Sequence, residues 1–326
     1  MIFFSLYCCL SKSSFKDFYG FSVNAASCGS WSAQNSNLYL YECLFKTISS
    51  PSLGGGLYIT GSNLKVLIEQ CAFDTCTAVT HGGAIYISST SNTHVVLNKI
   101  CGYECSCTSG HYYSFSYIEV GSQMINRIDY VSILRCPNTY GTGYMPIHLE
   151  KGIQIVKYMN NSNNVLYHVS AMRCFNGDSL SMIYSTISNN KPSHSICFWF
   201  SSGTNSRLME KCNIKNNSSP AAYGVFYIQG DYDFKDCIIV SNPNTVFSIP
   251  SGTVKLDSVV MFDNGNMGSG YYTINPVITI QTPTFQIKHL STIVCLGLSG
   301  DQFSNKISRI SQVPKWILQQ LTYFIL

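Results

Sequence analysis

Charge is scarce in this chain. Asp, Glu, Lys and Arg make up 11% of its 326 residues, against about a quarter in ordinary soluble domains. Twenty basic and sixteen acidic residues leave a net +4 spread along the sequence, without the basic stripe that a phosphate backbone requires, which argues against nucleic acid as a partner. Long apolar runs are absent too: no stretch reaches the roughly 18 residues that span a bilayer. The nearest, residues 316–326, is broken by Gln319 and Gln320 and is expected to dock on the end of the fold as a cap or tail formed by residues 306–326. Residues 1–10 are apolar but carry no positive n-region, so they read as a first coil ahead of a signal peptide. Apolar residues at helical spacing are few. The histidines, His81, His94, His111, His148, His168, His194 and His289, have no partner at metal-ligand spacing. No metal or cofactor is expected.

What the sequence does contain is a recurring signature. A small or apolar residue is followed two places later by an apolar one, and three places after that by Cys or Asn. It reads Cys71, Phe73, Cys76, then Cys212, Ile214, Asn217, then Cys237, Ile239, Asn242. Weaker copies run Val131, Ile133, Cys136, then Val169, Ala171, Cys174, then Ser185, Ile187, Asn190, and Val259, Met261, Asn264. With Cys43 and Cys101 added as first positions, the steps range from 16 to 38 residues. Self-similarity of this period marks a stacked repeat, and the steps are too short for a propeller blade of about 40 residues. Between copies, brief apolar runs alternate with turn residues, at 38–40, 57–59, 66–68, 85–87, 95–97, 117–120, 153–156, 225–228, 254–256 and 277–280. The expected fold is all-β: one parallel β-helix, a solenoid with irregular loops, over residues 1–305. Residues 110–151 form its loosest coil.

The 15 cysteines follow from the same template. Cys43, Cys71, Cys212 and Cys237 share one position, and Cys76, Cys136 and Cys174 another, so they should stand in inward-facing columns. Coils lie about 4.8 Å apart, but stacked side chains point in parallel and seldom suit the disulfide dihedral, so most should be free thiols. Asn at the last template position should sit at a turn, tolerate left-handed geometry and hydrogen-bond along the stack.

A second motif accompanies the first. Gly54, Gly55, Gly56, Leu57, Tyr58, Ile59 is echoed by Gly82, Gly83, Ala84, Ile85, Tyr86, Ile87, and more faintly by Gly224, Val225, Phe226, Tyr227, Ile228. Glycines that open a strand supply positive φ and let coil backbones approach closely at a corner. No helix and no Lys-Ser or Lys-Thr follows them, so they do not cradle phosphate. Together the two motifs resemble the GGAI and FxxN repeats of polymorphic-membrane-protein-like surface proteins, over about residues 38–296. The resemblance implies a right-handed parallel β-helix at the cell surface or outside the cell, acting in adhesion to a host-cell or matrix protein or glycan. The anchor or barrel of that family has no counterpart here, so any membrane attachment is expected to lie outside this chain.

Candidate chemistry is sparse. Parallel β-helices also house polysaccharide lyases and glycosidases, and the best acidic cluster for such an enzyme is Asp231, Asp233 and Asp236. Lys235 beside them suggests simple charge pairing, and the Asp-Asp and Arg-x-Lys motifs of pectin-degrading enzymes are missing. The non-catalytic reading is therefore preferred. Cys101, Cys105 and Cys107 with His111 could hold zinc but fit a coil turn better. Sequons stand at Asn160, Asn216 and Asn217. Tyr112, Tyr113, Phe198, Trp199, Phe200, Tyr271 and Tyr272 could form a stacking strip for glycans or proteins, although alternation along a strand should turn about half of them inward.

Overall fold

The computed structural model describes residues 15–24, 31–34, 37–89, 91–109, 113–137, 144–193, 196–201, 207–219, 224–274, 287 and 289–290. Each coil contributes three short strands, and like strands of successive coils stack in parallel into three ladders. The first ladder begins with Trp31–Gln34, Leu57–Thr60, Ile85–Ser88 and Tyr113–Glu119 and continues through Met145–Glu150, Val169–Phe175, Ile196–Phe200 and Phe226–Gln229. The second runs from Leu38–Tyr41 and Lys65–Glu69 to Tyr232–Lys235, and the 11-residue strand Phe247–Asp257 joins both. The third is a nine-stranded sheet from Leu44–Lys46 to Val260–Phe262. The chain is thus a parallel β-solenoid. The strand expected at 277–280 and the terminal segments 1–10 and 306–326 lie outside the described residues.

Corners shape the coil. In every rung, two residues five places apart adopt left-handed φ near 50°: Glu42 and Thr47, Gln70 and Thr75, Lys99 and Glu104, Tyr130 and Arg135, then Tyr158 and Asn163, Tyr184 and Asn189, Lys211 and Asn216, Asp236 and Ser241, Ser258 and Asp263. Left-handed geometry costs a non-glycine residue about 1–2 kcal/mol. Backbone bonds offset that cost. The corner N–H donates to the next coil, as Gln70 does to the Asn98 carbonyl at 3.0 Å and Thr75 to that of Tyr103 at 2.9 Å. Measured between successive first corners, the coils run from 22 to 31 residues.

That regularity corrects two readings of the sequence. Val169, Ala171 and Cys174 are not a copy of the signature. They lie in the first ladder, where Cys174 pairs with Leu149 and Phe200 rather than joining the Cys76 column. The missing copy is Met159, Asn161, Asn164, whose first and last members directly follow the corners at Tyr158 and Asn163. The third coil begins at Ile100, one residue before Cys101, and its middle slot is Gly102. A Cβ there would fall 2.3 Å from the Phe115 ring, which fills the vacated core position.

The remaining copies stack as expected. Cys71, Cys212 and Cys237 are all buried in the main core, and Phe45 lies parallel on Phe73 with ring centroids 4.7 Å apart. The last template position carries Cys76, Cys105 and Cys136, then Asn164, Asn190, Asn217, Asn242 and Asn264. Asn217 shows how the file is wired. Its Oδ1 accepts from the Asn190 backbone N–H at 3.1 Å, and its Nδ2 donates to the Ile187 carbonyl at 3.0 Å. The Asn is not itself left-handed, as the sequence suggested; the residue before it is. Its amide instead turns inward and satisfies the backbone that the corner leaves open. Thiols occupy the same positions with weaker versions of the same contacts: the Cys105 N–H points at Cys136 Sγ at 3.3 Å, and the Cys76 thiol at the Phe45 carbonyl at 3.3 Å. Asn217→Leu should therefore orphan two buried backbone groups and lower stability by about 2–4 kcal/mol. A urea midpoint equal to that of the parent would show that the ladder carries no such load.

Ten of the described cysteines are buried free thiols, and Cys101 is disulfide-bonded. Burial pushes the thiols of Cys107 and Cys197 up to about 12, which leaves them inert at neutral pH. A short helix, Phe15–Tyr19, covers the outer face of the second ladder. Phe15 packs on Tyr39, Leu67 and Val96, and the Tyr19 hydroxyl donates to the Val66 carbonyl at 2.6 Å.

Candidate functional site

Alternation decides which aromatics reach the surface. In Ile196–Phe200 the side chains of Phe198 and Phe200 enter the core, whereas Trp199 between them faces out and is half-buried. Tyr272 packs against the core and bonds the Met267 carbonyl at 3.1 Å. Tyr113 faces out. Tyr112 and the side chain of Tyr271 lie outside the described residues.

Parallel register then aligns the outward positions of the first ladder. Tyr58 pairs with Tyr86, Tyr86 with Tyr117, Tyr117 with His148, His148 with Arg173, Arg173 with Trp199 and Trp199 with Tyr227. The result is one unbroken aromatic and cationic file across seven coils. The first four rings stack nearly parallel, with centroids 5.6, 5.1 and 5.1 Å apart. Beyond them, the Arg173 guanidinium lies over the Phe175 ring at 4.0 Å and over Trp199 at 4.2 Å. Tyr113 lies on His148 at 4.5 Å and Tyr144 on His168 at 4.2 Å, which widens the file into a patch.

Two carboxylates edge this patch. Glu119 accepts from Lys151 Nζ and from Ser88 Oγ, both at 2.8 Å. Glu150 Oε2 lies 3.1 Å from His148 Nε2 and 3.0 Å from the Tyr117 hydroxyl. The hydrogen bond from His148 is the main reason that the Glu150 carboxyl is held below its ordinary range. Burial drives His148 down from 6.5 to about 4, because a charged imidazole cannot be hydrated there. At neutral pH the ring is uncharged and donates through Nε2. Its Nδ1 has no hydrogen-bond partner, nor have Arg173 Nε and Trp199 Nε1.

The buried imidazole makes an acid-sensitivity prediction. The unfolded chain takes up this proton near pH 6.5 and the folded one only near pH 4, so stability is intact above 6.5 and falls as pH drops through that window. The loss is on the order of 3 kcal/mol. His148→Phe keeps a ring in the stack and removes the titration, so its urea midpoint should vary less between pH 4 and 6.5. Parallel curves for the two proteins would assign the acid sensitivity to other groups, His81, His94 and His289 among them, which burial also lowers.

The other candidate residues fall elsewhere. Asp231 accepts from the Thr253 backbone N–H at 2.8 Å, Asp233 stands exposed in the second ladder between Leu208 and Lys255, and Asp236 is a left-handed corner residue. Cys105 faces the core, while the Cys107 thiol meets the Tyr113 carbonyl at 2.8 Å; His111 lies outside the described residues. Among the described residues no three His, Cys, Asp or Glu side chains group as metal ligands, and no helix is long and apolar enough to cross a membrane. Of the sequons, Asn217 is sealed in the core ladder, Asn160 is half-buried and Asn216 is exposed at its corner. A cleft of about 420 Å³ beside the first glycine motif is lined by Ile48, Leu53, Gly54 and Tyr58 among others, without a carboxylate, imidazole, thiol or cation.

Gly54 and Gly82 have φ of 60° and 65°, and Gly55 and Gly83 have no room for a Cβ. These corners launch the strands that carry Tyr58 and Tyr86, the first two members of the file. Fold and site together define a parallel β-solenoid with one aromatic and cationic face. No family model, no curated protein and no solved structure matches this chain.

Proposed function

We propose that the protein is a non-catalytic recognition rod that acts at the cell surface or outside the cell, binding a glycan or a protein along the first ladder. The observation that carries this reading is the continuous outward file from Tyr58 to Tyr227. Tyr, Trp and Arg are the residue types that supply most binding energy at interfaces. A rigid repeat multiplies such contacts at fixed spacing. The resemblance of the glycine and Asn motifs to surface-protein repeats points the same way.

The test is binding of the purified protein to cells, extracellular matrix and a glycan panel, with products assayed in parallel. Binding without turnover is expected, weakened tenfold or more in a Trp199→Ala, Tyr227→Ala double variant. Release of reducing or unsaturated sugars would instead favour a carbohydrate-active enzyme.

A further inference from the structure

We infer that the outer face of the third ladder is a docking surface for the chain's own residues 275–295, held there by a disulfide between Cys101 and Cys295. Burial on this face is more than a coil by itself supplies. In each strand of the ladder the middle residue enters the main core, as Phe73, Ile133, Ile187 and Ile239 do, so its two neighbours face outward. At the two ends of the ladder outward residues are open: Leu44 is 36% exposed and Phe262 47%. Between them the face is sealed. Ile238, Val240 and Val260 form a buried cluster apart from the main core, with Ile238 only 1% exposed, and Ser132 and Leu134 are buried as well. A side chain that stands off a sheet is not covered by the sheet itself, so another segment crosses the middle rungs.

Two contacts identify that segment. His289 lies on this face, its Nε2 2.7 Å from Thr186 Oγ1 and its Nδ1 3.4 Å from the Tyr158 carbonyl oxygen. Thr186 is an outward position, in register with Asn160, Ser132 and Cys101 on the three preceding rungs. Cys101 is disulfide-bonded, and since the ten other described cysteines are free thiols, its partner is Cys8, Cys9, Cys28 or Cys295. Reach selects among them. Three rungs at about 4.8 Å put Cys101 about 14 Å from Thr186, and the six residues from His289 to Cys295 span about 20 Å when extended. Cys28 stands three residues before Trp31, which opens the first ladder two coils earlier, a reach of only about 10 Å. Cys8 and Cys9 precede the helix Phe15–Tyr19, which covers the second ladder. A chain that turns back after Gly268–Ile274 and passes His289 toward Cys101 crosses the sealed rungs in order, and its Val277, Ile278, Ile280 and Phe285 offer apolar side chains to Ile238 and Val260. Closing the bond takes one proton and one electron from each thiol and passes them to a disulfide donor of an oxidising compartment, which is reduced to a dithiol.

The experiment takes the full chain, produced by secretion, blocks free thiols, digests it without reductant and reads the joined peptides by mass spectrometry. Cys101 should be found bonded to Cys295. In Cys295→Ser the Cys101 thiol should become open to alkylation, and in a Cys8→Ser, Cys9→Ser, Cys28→Ser triple variant it should stay protected. A bond from Cys101 to Cys8, Cys9 or Cys28, or a free Cys101 in the parent, overturns the inference. Docking is read separately by hydrogen exchange. Ile238→Ser removes an apolar contact from the sealed part of the face, so residues 277–290 should exchange severalfold faster than in the parent. Phe262→Ser, on the open part of the same face, should leave them unchanged. Equal exchange in the parent and Ile238→Ser would mean that another segment seals the face, and overturns the docking. Thermal midpoints show that the variants fold, and Ile238→Ala serves if the serine prevents folding. None of these outcomes bears on ligand binding by the first ladder, so the recognition reading stands or falls by its own test.

Discussion

Gly83→Ala should be among the most damaging single substitutions in this protein, lowering stability by roughly 3–5 kcal/mol. A Cβ at this position would lie 2.1 Å from the Ser114 carbonyl oxygen and 2.4 Å from that of Ser106. Both obstacles are backbone. Neither can retreat easily, because Gly83 donates to the Tyr113 carbonyl at 3.1 Å and Ala84 to that of Phe115 at 3.0 Å, which ties the corner to the next coil. Forcing the corner open would break those bonds and shift Tyr86 relative to Tyr117 in the outward file. Urea unfolding of the variant measures the loss. A midpoint within error of the parent's would mean that neighbouring coils can separate here without cost.

Phe226→Ala should cost about 3–5 kcal/mol through the cavity it leaves. The ring is fully buried. It stacks on Phe198 at 4.7 Å and on Phe247 at 5.2 Å, and meets the edge of Phe234 at 5.2 Å. Three consecutive coils of the first ladder and one strand of the second converge on this side chain. Because coils touch only their neighbours, the damage should be local before it is global. Hydrogen exchange should quicken first in strands 196–200, 226–229 and 247–257, with the early coils near Phe73 still protected. Uniform acceleration along the chain would show that the solenoid unfolds as one unit.

Much of this arrangement could be read in advance from particular residues. Cys71, Phe73 and Cys76, like Cys212, Ile214 and Asn217, mark inward slots because the same residue types recur there in register. Misreadings arose where chemistry departs from type. Asn161 occupies an apolar slot and stays in the core because its Nδ2 donates to the Ala171 carbonyl at 2.8 Å; no pattern of hydrophobicity reveals that bond. Val169, Ala171 and Cys174 imitate the signature because the register shifts between Val169 and Met172, so that Ala171 and Cys174, three residues apart, both enter the core. Tyr113 and Trp199 were recognisable as candidates for the outer strip. Tyr117, His148 and Arg173 were not, since the loops between them differ in length and no fixed interval links one to the next.

The sequence alone determined that like side chains must file inside a stacked β-coil, because buried columns restrict residue type at every rung and so leave a repeat. Only the tertiary structure decided the register of the outer face. There the left-handed corners accept Tyr, Lys, Gln and Glu as readily as Asn, held by bonds to the next coil, so that local preference does not disclose them. What faces outward at each rung, and hence the meeting of Tyr117, His148, Arg173 and Trp199, follows from how those corners align one coil upon another.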